Sequence, residues 1–159
     1  MITTKTVGNL VTLGMEGTFD VIVHGCNTLN CFGAGIALEI KNKLRPAYEA
    51  DTLAHKQKKN SLGNISIAEI LLDKHQLTVI NMYTQSELGW NYQHDCPPCD
   101  YTAIYRSFLK LNSMYKDSSV KIGIPYIGAG LAKGDWNIIK SLIDLATPDI
   151  DLTLVEFKK

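Results

Sequence analysis

Two glycine-bearing stretches carry the residues best suited to gripping an anion and acting on it. Residues 23–35 read VHGCNTLNCFGAG, and residues 124–135 read IPYIGAGLAKGD. Each follows an apolar run and precedes an amphipathic one. Glycine lets the main chain approach a ligand closely and take up positive φ. A loop of this kind leading into a helix aims N–H groups at one point, and the helix N-terminus adds positive potential. Two such loops suit a ligand with more than one phosphate, held mainly by backbone. The bland alternative is a pair of tight strand-to-helix turns. Residues 128–134, GAGLAKG, are one position too long for the dinucleotide fingerprint, and neither stretch carries the phosphate-loop pattern of nucleotide triphosphatases.

Several side chains near these loops could do chemistry. His24 ends the first apolar run, where an imidazole could accept or deliver a proton near neutral pH. The same residue would serve equally as a core histidine satisfied by backbone. Asp135 opens the last helical stretch. Its carboxylate could orient a water or a leaving group, or cap that helix through the N–H of Asn137 or Ile138. Cys26 and Cys31 have no partner base beyond His24 and read as small buried hydrophobes. Lys133 could neutralise a terminal phosphate or simply be a loop lysine, and Tyr83 and Trp90 suit core packing more than a cleft wall. His94, Cys96 and Cys99 give three candidate metal ligands, but the second half of a zinc pattern is missing, so no metal and no cofactor are expected.

The elements that position these residues follow from hydrophobic period. Residues 6–12 alternate weakly and suit an edge strand; residues 19–23 suit a buried one. From Gly35 the period changes, and Ile36, Ile40, Leu44 and Tyr48 form one helical stripe that Pro46 kinks or ends. Residues 65–72 and 77–83 are strand candidates joined by a turn at 73–76. A polar, aromatic-rich loop covers 86–98. Asp100 caps a helix whose buried face is Tyr101, Ile104, Tyr105, Phe108 and Leu111. A strand at 120–125 follows. Trp136, Ile139, Leu142, Ile143 and Ala146 form the last helical stripe, stopped by Pro148, and residues 152–157 close with a strand. Alternating strands and helices predict an α/β fold with a mixed, largely covered sheet. Both glycine loops then lie at the carboxyl ends of strands, where open α/β sheets bind ligands.

The chain has 159 residues, enough for one domain with a proper core. Its 16 basic and 16 acidic residues cancel, which argues against a strongly electrostatic duplex-DNA binder. Lys56, Lys58 and Lys59 form a small basic run that reads as a solvated helix end. No stretch approaches the ~18 apolar residues of a membrane span, and the N-terminus does not read as a secretory signal. A cytoplasmic protein with its four cysteines reduced and no membrane partner is expected.

Taken together, these residues resemble a known family. Residues 21–27, VIVHGCN, followed by FGAGIA at 32–37, resemble the macrodomain signature, and PYIGAGL at 125–131 resembles its second loop. VGNL at 7–10 falls where the family has Gly-Asp-Ile. The resemblance runs from about residue 6 to residue 157 and implies that residues 1–159 form one macrodomain. HGCN at 24–27, GLAKGDW at 130–136 and NMYTQ at 81–85 are most similar to the short phage and bacterial members and to the yeast ADP-ribose-1″-phosphate phosphatase, the Appr-1-p processing group.

The resemblance implies a three-layer α/β/α fold with a mixed central sheet and a cleft for ADP-ribose. By position, Asn9 stands where an aspartate binds the adenine amino group, and Phe157 where an aromatic stacks on adenine. Asn27 would hold the distal ribose. Gly33, Ala34, Gly35 and Ile36 would flank the pyrophosphate from one side, and Pro125, Ile127, Gly128, Ala129, Gly130 and Leu131 from the other. The implied activity is hydrolysis of ADP-ribose-1″-phosphate to ADP-ribose and phosphate by a monomer, with His24, Asn27 and Asp135 as the catalytic set. Two other activities fit the same resemblance: removal of ADP-ribose from a modified protein or nucleic acid, and a non-catalytic ADP-ribose reader. Ala132 stands where one subgroup of the first kind has an aspartate.

Overall fold

A strand that opens on the apolar run at 21–23 needs cover on both faces. The computed structural model, which describes residues 1–86, 98–130 and 132–158, gives it that place. β2 (Val21–Asn27) sits inside a sheet completed, among the described residues, by β1 (Ile2–Gly8), β3 (Ile65–Leu71), β4 (Gln76–Gln85), β5 (Ile122–Ile124) and β6 (Leu152–Phe157). The order is β1-β6-β5-β2-β4-β3, parallel throughout except for the antiparallel β3–β4 pair. Successive β2 side chains go to opposite faces. Val21 and Val23 join Ile80, Met82, Ile104, Phe108, Ile139 and Ile143 under α4 (Tyr101–Tyr115) and α5 (Trp136–Ala146). Ile22 and Cys26 join Leu10, Ile40, Ala47 and Val79 under α1 (Leu10–Met15), α2 (Gly35–Lys43) and α3 (Arg45–Lys56). The architecture is the expected α/β/α arrangement with a mixed sheet.

Two local expectations give way. Residues 6–12 are not one strand: β1 ends at Gly8, and Asn9 caps α1 by accepting from the Thr12 N–H at 3.0 Å. The stripe from Ile36 to Tyr48 is two helices. Leu44 leaves the helical region at φ −130° and ψ 55°, and Pro46 sits in the first turn of α3, where its missing N–H costs nothing. The caps at Asp100 and Asp135 form as anticipated, through the N–H groups of Ala103 and Asn137. Among the described residues, no helix is long and apolar enough to cross a membrane.

The register of β2 opens a gap in the sheet. β2 pairs with β4 along its whole length, from Val21↔Thr78 to Asn27↔Gln85. With β5 it pairs over Val21↔Ile122 and Ile22↔Gly123 and then parts from it. The two glycine loops leave the sheet on either side of that gap.

A candidate ligand cleft between two loops

The loops after β2 and β5 enclose a cleft of about 560 Å³. Asn27, Cys31, Phe32 and residues 33–37 form one wall. Pro125, Tyr126, Ile127, Gly128, Gly130 and Ala132 form the other, and Gly25, Cys26, Thr84 and Gln85 complete the lining. A second pocket of about 370 Å³ shares Gly35, Ile36 and Pro125 with it and is further lined by Gly8, Asn9, Leu10, Glu39, Val155 and Phe157. The two pockets adjoin across these shared residues. Of the residues anticipated at the ligand, Ala129 is not on the wall; its N–H turns to the Tyr126 carbonyl at 3.3 Å. Leu131, Trp90, His94 and Cys96 lie outside the described residues.

The first loop is folded by its own asparagine. Asn27 Oδ1 accepts from the N–H groups of Leu29 at 2.9 Å and Cys31 at 3.3 Å, and its Nδ2 donates to the Cys31 carbonyl at 2.8 Å. Asn27 thus shapes the cleft wall and retains one amide proton for a ligand. Asn30, at φ 58°, ties the loop to the core by donating to the buried Asp51 carboxylate at 2.7 Å. The loop then enters α2, whose N-cap is Ala34 and whose end has no side-chain cap. The first N–H groups of a helix have no intrahelical acceptor. At α1, α4 and α5 a capping Asn or Asp side chain takes up one of them. At α2 the first turn lies on the cleft wall, with the helix dipole adding to its pull on an anion.

The second loop is seated on the core by glycine. Gly128 has φ +76°, and a Cβ there would lie 2.8 Å from Cys99 Sγ and 3.0 Å from Ile104 Cδ1. Gly134 donates to the Gly128 carbonyl at 2.6 Å and closes the turn. Gly128→Ala is accordingly expected to lower unfolding stability by about 2 kcal/mol, from positive-φ strain and overpacking, read by urea denaturation.

His24 does not face the cleft. It shares the α2/α3 face of β2 with Ile22 and Cys26, is 0% exposed, and lies edge-on to Phe32 at 5.3 Å. Its Nε2 is 2.6 Å from Asn81 Oδ1. Asn81 spends its amide protons on the Ala47 carbonyl and Ser66 Oγ, both at 2.9 Å, so the imidazole is the donor. Ser66 bonds to Tyr83 Oη at 2.8 Å, and Tyr83 donates to Asp51 at 2.7 Å. Burial lowers the His24 pKa to about 4 and holds the ring neutral. Cys26 Sγ, 3.5 Å from Nε2, does line the cleft, but burial pushes its thiol up and away from thiolate. Asp135 is exposed at the start of α5, spends one carboxylate oxygen on the Asn137 N–H at 2.9 Å, and does not line the cleft. Of the three expected catalytic residues, Asn27 is the one on its wall. None of the described residues lining the 560 Å³ cleft is His, Asp, Glu, Lys or Arg. Among the described residues, no three His, Cys, Asp or Glu side chains converge as a metal site.

Asn9 also differs from expectation. Its oxygen caps α1, and its Nδ2 donates to both oxygens of Glu39, at 3.0 and 3.2 Å. Sequence patterns did not single out Glu39 or Asp51, and gave Asn81 no role beyond its place in the NMYTQ motif. Asp51 left a signal, because it sits in the buried stripe Ala47–Asp51–Ala54 of α3; so did Asn81, which interrupts an apolar strand.

Solved structures share this architecture. The macrodomain of Mycobacterium tuberculosis DarG aligns with TM-score 0.78 at 20% identity, covering 98% of this chain and 97% of that one. The chain has the macrodomain fold. A second protein with this fold, Thermosipho africanus DarTG solved in complex with ADP-ribose, aligns with TM-score 0.76 at 16% identity, covering 98% of this chain and 42% of that one. No family model matches the sequence. By sequence, the 17.5 kDa protein from the tk-vs intergenic region of Enterobacteria phage T4, itself uncharacterised, is 30% identical over 154 residues, which span 95% of this chain and 94% of that protein. The two belong to one family. The side pocket's carboxylate is Glu39, on α2, bonded by Asn9.

Proposed function

We propose that the cleft and its side pocket bind ADP-ribose. The pyrophosphate lies between the first turn of α2 and the loop at 128–130, the distal ribose beside Asn27, and the adenosine in the side pocket against Phe157. The observation that carries this reading is the meeting of two uncharged glycine loops with an adjoining, mostly apolar side pocket. The Thermosipho protein of the same fold, solved with ADP-ribose, supports it. The cleft lining favours recognition over hydrolysis, because among its described residues there is no histidine, carboxylate, lysine or arginine. With the described lining residues, phosphatase activity on ADP-ribose-1″-phosphate would lean on positioning and N–H donors.

Calorimetric titration with ADP-ribose is expected to give a saturable single-site isotherm. Incubation with ADP-ribose-1″-phosphate is expected to release no phosphate above a protein-free blank, and an ADP-ribosylated protein no ADP-ribose. A flat titration overturns the binding reading. Steady release from either substrate restores the corresponding hydrolase.

A further inference from the structure

We propose that Asp51, which does not line the cleft, is a positioning residue for it: its carboxylate holds Asn30 and so presets the first loop in the shape that receives the ligand. The proposal rests on the ADP-ribose reading and adds to it a residue outside the binding surface. Asp51 is fully buried in α3, and none of the ion pairs among the described residues includes it. An unpaired carboxylate is costly to bury, so the donors that meet it are the guide to its role.

From the core side, Asn81 donates to Ser66 Oγ at 2.9 Å, and Tyr83 gives its one hydroxyl proton to Asp51 Oδ1 at 2.7 Å. The Ser66 hydroxyl is therefore the donor in its 2.8 Å bond to Tyr83 Oη. Three donors in series end on Oδ1. From the loop side, Asn30 Nδ2 donates to Oδ2 at 2.7 Å and reaches Thr52 Oγ1 at 3.1 Å. A carboxylate accepts from both sides at once, whereas an amide at position 51 would turn an NH2 group toward one of the donors. Its charge also makes these bonds stronger than neutral ones.

The loop needs that hold at Asn30. Its flanks are fixed elsewhere: the Thr28 N–H donates to the Gln85 carbonyl at 3.0 Å, the Thr28 carbonyl accepts from Asn60 at 2.9 Å, and Phe32 is buried. Between them Asn30 turns the chain at φ 58°, a region that L-residues enter at a cost. Its two neighbours, Leu29 and Cys31, are the residues whose N–H groups bond to Asn27 Oδ1. Released from Asp51, Asn30 relaxes toward extended backbone and the Asn27 contacts loosen. A ligand then has to reorder the wall as it binds, and affinity falls by that cost.

The test is calorimetric titration with ADP-ribose of the wild type, Asn30→Gly, Asp51→Asn, the double variant and Asn112→Ala, at a temperature where each is folded. Glycine takes up positive φ freely, so Asn30→Gly permits the turn and removes the hold. It is expected to bind about tenfold more weakly, the order of one hydrogen bond. Asp51→Asn should lose about as much, and the double variant no more than either single one, because both break one link. Asn112→Ala removes the paired 3.0 Å bonds to Asp149, ahead of β6 and off the cleft, and is expected to melt lower yet bind as wild type. Amide exchange at Leu29 and Cys31 should quicken in free Asn30→Gly and return to the wild-type rate in excess ADP-ribose. Should Asp51→Asn not fold, Asn30→Gly against Asn112→Ala decides. Wild-type affinity or unchanged exchange in Asn30→Gly, losses that multiply to about a hundredfold in the double variant, or an equal loss in Asn112→Ala would each overturn the positioning role and leave ADP-ribose binding intact. Failure of the wild type to bind would overturn the ADP-ribose reading, and this proposal with it.

Discussion

Gly130→Glu is expected to weaken ADP-ribose binding by at least about a hundredfold, roughly 2.7 kcal/mol, while moving the melting temperature by no more than about 2 °C. Gly130 is exposed on the cleft wall, and no heavy atom lies within 4 Å of the Cβ a side chain would add there. Its backbone is outside the positive-φ region that strains L-residues, in contrast to Gly128. The fold therefore accepts the substitution, and its cost falls on the ligand. A carboxylate at that point fills the space between the two loops and repels a pyrophosphate where no cationic side chain of the described lining offsets it. Calorimetry together with a thermal melt separates the two effects. Undiminished binding would mean that the ligand does not pass between the loops.

The second large effect concerns stability against pH. His24 titrates near 6.5 in the unfolded chain and at about 4 in the fold. Between those values the unfolded chain binds a proton that the folded one refuses. Its contribution to stability is therefore complete above about pH 6.5 and is lost as pH falls toward 4, at up to about 1.4 kcal/mol per pH unit. Urea denaturation between pH 7 and pH 4.5 should show the wild type losing about 2 kcal/mol more than His24→Gln, which has no such proton to take up. Titrations common to both proteins cancel in the comparison. Parallel profiles would place the imidazole in a solvated setting. At pH 7 the variant is expected to be less stable than wild type and yet to bind ADP-ribose with wild-type affinity, because the ring is not on the cleft.

What could be read from sequence was whatever depends on near neighbours. The strand at Leu152–Phe157 was found to the residue because its apolar run is bounded on both sides. The caps at Asp100 and Asp135 were found because a cap bonds two or three residues ahead. The glycine loops were legible because close main-chain approach needs glycine wherever the loop sits. Pro46 marked a break in the stripe, but its place at Leu44 and the helix beyond it were hidden, since α3 resumes the apolar phase of α2. Helix α1 was hidden too: it has six residues, with Val11, Thr12 and Gly14 among them, and its one side-chain cap comes from Asn9. His24 was left open between a proton carrier and a core histidine, and counting along the strand decides for the core, because it shares parity with Ile22 and Cys26 and lies against Phe32. Glu39 could not be seen at all, because its pocket draws on α1, α2 and β6 at once.

The parting of β2 from β5 after two paired positions bears on more than this one chain. Where a ligand can dock is set by which strands neighbour which and by how soon they diverge, and that is fixed by hydrophobic residues deep in the sheet. What docks there is set by surface turns whose exposed positions, such as Gly130, bear little of the folding load. Mutation can therefore rewrite the chemistry of the opening over evolutionary time without moving its location, and a chain can keep the site long after it has exchanged one guest for another.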